Sequence, residues 1–178
     1  MNNDNYEAQC KRGSEYLTKG DFSHAVEAYT AALGFKPNDH EALFCRGLAY
    51  IEVHDFDNAI KDFTTLLKVE PSLDIIAYYN RGIAHSNKGN VRKAIKDFTE
   101  VLKINDEDDE AYLLRGEVYF HSGDLKRAIA DWDRALLINP DHPTVRKNIE
   151  LIRKEWREQA KNETDSAAVG KQVLMDFD

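Results

Sequence analysis

A period of 34 residues runs through this chain and leaves few folds open to it. A basic residue followed by glycine recurs as Arg12-Gly13, Arg46-Gly47, Arg81-Gly82 and Arg115-Gly116, with the glycines 34, 35 and 34 positions apart. Twelve residues after each glycine stands an alanine, Ala25, Ala59, Ala94 and Ala128, and four after each alanine an aromatic, Tyr29, Phe63, Phe98 and Trp132. Proline closes three of the units, at Pro37, Pro71 and Pro140. Repeats of this length are single supersecondary units, which bury their apolar faces by stacking on one another.

Within a unit the apolar residues recur at steps of three and four, as in Ala25, Ala28, Tyr29, Ala32 and Leu33, which is the helical period. A turn divides each unit at Gly20-Asp21, His54-Asp55, Gly89-Asn90 and Gly123-Asp124. Glycine supplies the left-handed residue that ends one helix, and Asp or Asn caps the exposed amides that start the next. Each unit is therefore expected to be a helical hairpin, with His54 slightly strained where the others have glycine. Gly and Ala are expected where the two helices touch, and the aromatics between neighbouring hairpins.

The order Gly, Tyr, Ala, aromatic, Pro in a 34-residue helix-turn-helix resembles the tetratricopeptide repeat, and the resemblance covers residues 6–142. It implies an all-α, right-handed α-solenoid of four hairpins, over 6–39, 40–73, 75–108 and 109–142, after a short N-terminal extension at 1–5. Three departures affect local geometry only: Asp106 stands where Pro would close the third unit, His85 replaces the tyrosine of Tyr16, Tyr50 and Tyr119, and the third unit starts one residue late. Stacking leaves the last unit uncovered. Residues 143–162 are expected to form a capping helix that covers it, with Val145, Ile149, Ile152 and Trp156 on one stripe, Asp141 as the cap and Pro143 in the first turn. Residues 163–178 read as a mobile tail whose end, Val173-Leu174-Met175-Asp176-Phe177-Asp178, is apolar and acidic.

Charge and composition narrow the function. With 24 Lys and Arg against 32 Asp and Glu, a net charge of −8, the chain lacks the basic surface that nucleic acid requires. No apolar run approaches the roughly 20 residues of a membrane helix, and the start of the sequence does not read as a signal peptide, so a cytoplasmic chain without a membrane partner is expected. Cys10 and Cys45 are too few for a disulfide scaffold and read as reduced thiols. No histidine pair has zinc spacing, and the run Asp106 to Glu110 lacks the glycine and distal Glu of a calcium loop, so it reads as a helix cap. No nucleophile elbow, phosphate loop or dinucleotide fingerprint occurs, and the expectation is a non-enzymatic chain with no metal and no cofactor.

One polar column recurs: Arg46, Arg81 and Arg115 are each followed sixteen residues later by Asp62, Asp97 and Asp131, which predicts a ladder of ion pairs between the two helices of a hairpin. The resemblance further implies that the first helices line a concave face on which partners lie as extended peptides or helices. By register that face takes Glu41, Phe44, Leu48, Tyr79, Asn80, Ile83, Leu113 and Glu117 as the main partner-binding candidates, with Ile76 and Phe120 also on it. Phe44, Leu48, Tyr79, Ile83 and Leu113 would supply apolar contact, Asn80 a hydrogen bond to peptide backbone, and Glu41 and Glu117 a preference for basic residues.

The subclass of this family that binds the C-termini of Hsp70 and Hsp90 clamps a carboxylate with Lys, Asn and Arg. In this chain only Asn80 matches, which disfavours that partner. The expected function is a protein-interaction scaffold holding an apolar and basic segment. The alternative is a self-assembling or autoinhibited module with the C-terminal tail docked in a groove.

Overall fold

In a computed structural model, residues 2–154 are described. They form α1 (Asn2–Thr18), α2 (Phe22–Phe35), α3 (His40–Glu52), α4 (Phe56–Val69), α5 (Asp74–Asn87), α6 (Val91–Ile104), α7 (Asp109–His121) and α8 (Leu125–Ile138). A further helix, α9, runs from 143 to the end of the described residues at 154. No strand occurs among them, and none of these helices is long and apolar enough to cross a membrane.

The hairpin turns follow their residues. Gly20, Gly89 and Gly123 take φ of 73°, 78° and 83°, and His54 holds the same conformation at 60°, the one non-glycine among the described residues to do so. Asp21, Asp55 and Asp124 accept from the backbone N–H of His24, Asn58 and Arg127 at 3.3, 3.2 and 3.1 Å. Asn90 makes no such cap: its side-chain amide turns back to the ring of His85, 3.4 Å away. Asp108 of the acidic run caps α7 through the N–H of Ala111 at 2.8 Å. A 3-10 turn over Pro71–Leu73 takes up the extra residue before α5, which starts without a side-chain cap.

The glycine and aromatic columns meet inside each hairpin. A methyl group added at Gly13, Gly47 or Gly82 would come within 2.7, 2.8 or 2.9 Å of the ring of Tyr29, Phe63 or Phe98, and at Gly116 it would collide with Trp132. The aromatic of the second helix thus packs against the glycine of the first, and it also meets the next helix of the stack: Tyr29 clusters with Ala42 and Leu43, Phe63 with Ala77 and Ala84, Phe98 with Val118, and Trp132 with Val145. These rings, with the wholly buried Ala25, Ala59, Ala94 and Ala128, are the core of each unit.

Each predicted Arg–Asp pair forms, as a two-pronged contact. Arg46 reaches Asp62 at 2.8 and 2.7 Å, Arg81 reaches Asp97 at the same distances, and Arg115 reaches Asp131 at 2.7 and 2.7 Å. The remaining guanidinium nitrogen donates to the hydroxyl of Thr30, Thr64 or Thr99 on the second helix of the preceding unit, at 3.2, 3.2 and 3.0 Å. One arginine therefore binds its own hairpin and the one before it.

Successive odd-numbered helices, α1 to α3, α3 to α5 and α5 to α7, come within 8 Å between Cα atoms, an approach that successive even-numbered helices do not match. The closer approach on one side curves the stack and sets the odd helices on its inner side. At the far end α9 buries Val145, Ile149 and Ile152 against Leu113, Ala128, Trp132 and Ala135. Its cap is His142 rather than Asp141: the ring nitrogen of His142 faces the N–H of Val145 at 3.5 Å, and the helix opens on Pro143. Trp156 and the tail lie outside the described residues.

Candidate partner-binding groove

On the inner side, α3 and α5 leave an apolar cavity of about 260 Å³ lined by His40, Glu41, Phe44, Leu73 and Ile76. Two of the expected residues, Glu41 and Phe44, meet here. Glu41 is exposed, and Phe44 is half-buried with its ring edge-on to Phe63 at 6.4 Å between centroids. Of the apolar residues lining this cavity the most open is Ile76, 42% exposed. Its register position is occupied by Glu7, Glu41 and Glu110 in the other units, so one isoleucine interrupts a column of glutamates. That substitution was the available signal for this cavity, and the apolar stripe drawn from the glycine register passed over it.

Tyr79, one turn beyond Ile76, is half-buried beside Phe98 and against Val101, Leu102 and Ala111. Burial pushes its phenol well above the usual range, and the carboxylates Glu110, Asp108, Asp109 and Glu117 push it in the same direction. The groove around Tyr79 is therefore electronegative. Glu117 is itself half-buried, and desolvation raises its carboxyl above the ordinary value, partly opposed by His121 and His142. A positive partner group would relieve both.

The other candidates are divided between surface and core. Leu48 and Ile83 are half-buried, Leu48 against the cluster around Phe63 and Ile83 against the cluster around Phe98. The Asn80 amide already donates to Ile76 O at 2.8 Å. Leu113 is not a surface residue: it is 5% exposed, enclosed by α9, and its carbonyl accepts from Trp132 Nε1 at 3.1 Å. It shares a register column with Phe44 and Tyr79, but its unit is the one that α9 covers.

Among the described residues no group of three or more His, Cys, Asp or Glu side chains is arranged to hold a metal ion. Burial raises the thiols of Cys10 and Cys45, opposite to the shift that activates a nucleophile.

Family models described as tetratricopeptide repeat match residues 6–39 and 79–143. A search of curated proteins returns no match. Among solved structures, the crystal structure of MamA protein is 25% identical and superposes with a TM-score of 0.78, covering 90% of this chain and 88% of that one. MamA 41-end from Desulfovibrio magneticus RS-1 is similar at 21% identity, with 89% and 90% covered and a TM-score of 0.78. YrrB, described as a TPR protein with an unusual peptide-binding site, is similar at 19% identity, with 82% and 74% covered and a TM-score of 0.76. The last two likenesses concern the fold alone.

Proposed function

We infer that this chain, which belongs to the tetratricopeptide repeat family, is a non-enzymatic protein-interaction scaffold that holds a segment of a partner along its odd-numbered helices. The observation that carries this is the apolar cavity at Phe44, Leu73 and Ile76 with carboxylates around it, Glu41 at its edge and Glu110 and Glu117 further along. An apolar side chain fills the cavity, and a Lys or Arg nearby answers the charge. The partner is thus an extended peptide or helix with apolar and basic residues. The acidic C-termini of Hsp70 and Hsp90 would meet repulsion here. The unusual peptide-binding site described for YrrB supports the class of partner and no more.

Selection of a random peptide display library against the full chain tests this. Enriched peptides are expected to place a large apolar residue within a turn of Lys or Arg, and Ile76→Asp should lose them at least tenfold in affinity, about 1.4 kcal/mol. Enrichment of acidic peptides, or binding indifferent to Ile76→Asp, would remove the groove as the site.

A further inference from the structure

A second cavity, of about 330 Å³, opens between α7, α8 and α9, lined by Glu117, Phe120, His121, Trp132, Thr144, Asn148, Leu151 and Ile152. Phe120 is 38% exposed and Leu151 is 50% exposed, so both sides of the cavity present apolar surface. Helical spacing sets Lys147 four residues before Leu151 and Lys154 three residues after it, so both flank Leu151 at the rim of the cavity without lining it, and Lys147 borders the adjoining surface of Asp141, Pro143, Arg146 and Glu150. Over residues 143–154 the charges are Arg146, Lys147, Arg153 and Lys154 against Glu150, whereas the groove at α3, α5 and α7 carries Glu41, Glu110 and Glu117. This end of the molecule is basic beside a largely acidic inner face.

We propose that the segment Val173 to Asp178 of the same chain occupies this cavity, its apolar side chains against Phe120 and Leu151 and its aspartates toward Lys147 and Lys154. Charge selects the place. Asp176 and Asp178 would be repelled along the acidic groove and are matched by the lysines at its end. Among the described residues lining the cavity the one carboxylate is Glu117, whose desolvation already favours its neutral form.

Reach permits the contact. Residues 163–172 separate the expected end of the capping helix at 162 from Val173, and at about 3.3 Å per extended residue they span roughly 33 Å, about twice the ~16 Å that helical rise puts between 162 and Leu151. The stretch Asn162-Glu163-Thr164-Asp165-Ser166, with Gly170, has turn-forming composition. A short tether of this kind raises the local concentration of the segment to the order of mM, so weak intrinsic affinity suffices to fill the cavity.

The consequence deepens the autoinhibited reading and rests on the proposed groove: a seated segment covers Glu117 and Phe120, the α7 end of the surface offered to a partner. A partner that uses α7 has to displace it, whereas one confined to the α3–α5 cavity does not.

Methyl NMR on the full chain tests the seat without any partner. Nuclear Overhauser contacts are expected between the Phe177 ring and the Leu151 methyls, lost in the double variant Leu174→Asp plus Phe177→Asp. Lys147→Glu plus Lys154→Glu should weaken the same contacts, and adding Asp176→Lys plus Asp178→Lys should restore them. Leu151 and Ile152 methyl shifts identical in the wild type and the tail variant would overturn the proposal. So would contacts seen only between differently labelled chains in a mixed sample, which would assign the cavity to a second copy. Peptide selection reads the groove through Ile76, so either reading can fail with the other intact.

Discussion

At the residue scale the fold turns on single atoms. Each repeat glycine is held by the ring above it, so Gly82→Ala pushes a methyl against Phe98 at 2.9 Å. The expected loss is about 1–3 kcal/mol, read as a lower midpoint in urea denaturation. Gly34 is the control: it lies in α2 with nothing within 4 Å of an added methyl, and Gly34→Ala should stabilise by up to about 1 kcal/mol. Equal effects at the two sites would remove the close contact as the reason for the column. His85 offers a second residue-scale test. It is 5% exposed, and burial lowers its pKa below 6.5, opposed by Asp97 and reinforced by Lys93, Arg81 and Lys88. The unfolded chain then takes up the proton first, so stability is full above about pH 6.5 and declines as pH falls through that value. His85→Tyr, which restores the residue of the other units, should remove this part of the pH dependence in melts between pH 7.5 and 5.

At the scale of elements the arginines matter most, since each joins three helices. Arg81 and Asp97 are 17% and 3% exposed, so truncating one partner leaves a charge buried without its match. Arg81→Ala should cost about 3–5 kcal/mol, whereas Arg81→Met combined with Asp97→Leu should cost much less. A double variant as unstable as the single one would mean that the bond to Thr64, not the charge, was decisive. The threonine column follows directly after the aromatics as Tyr29-Thr30, Phe63-Thr64 and Phe98-Thr99. The fourth aromatic is followed by Asp133, which lies 3.6 Å from Arg153 of α9, so in the last unit a carboxylate takes the place of the threonine hydroxyl that faces an arginine in the others.

For the molecule as a whole, a stacked array is as firm as its ends. Ile152→Asp places a charge in the contact that covers Leu113 and Trp132, and hydrogen exchange should rise first in α7 and α8, with α3 and α4 still protected. Uniform loss of protection would indicate a single cooperative unit instead. The groove has a whole-molecule signature as well. Burial raises the Glu117 carboxyl, so a basic peptide that contacts it should bind more weakly as pH falls through that raised value. Glu117→Gln should flatten the profile.

The 34-residue period determined the hairpins, the turn at His54 and the Arg–Asp ladder, because contacts within and between adjacent units repeat with the sequence, and the stripe of Val145, Ile149 and Ile152 marked a covering helix after them. What escaped it were features set by a neighbour that does not repeat. Phe44, Tyr79 and Leu113 hold one register position, and only the docking of α9 decides that the third is core. Asn90 has the composition of a cap, but the nearby His85 ring takes its amide. The cavity at Ile76 takes one wall from Leu73, in the 3-10 turn that absorbs an extra residue before α5. Periodicity specifies which residues recur at an interface; how far each is covered depends on side-chain volume and on the one packing partner that breaks the repeat.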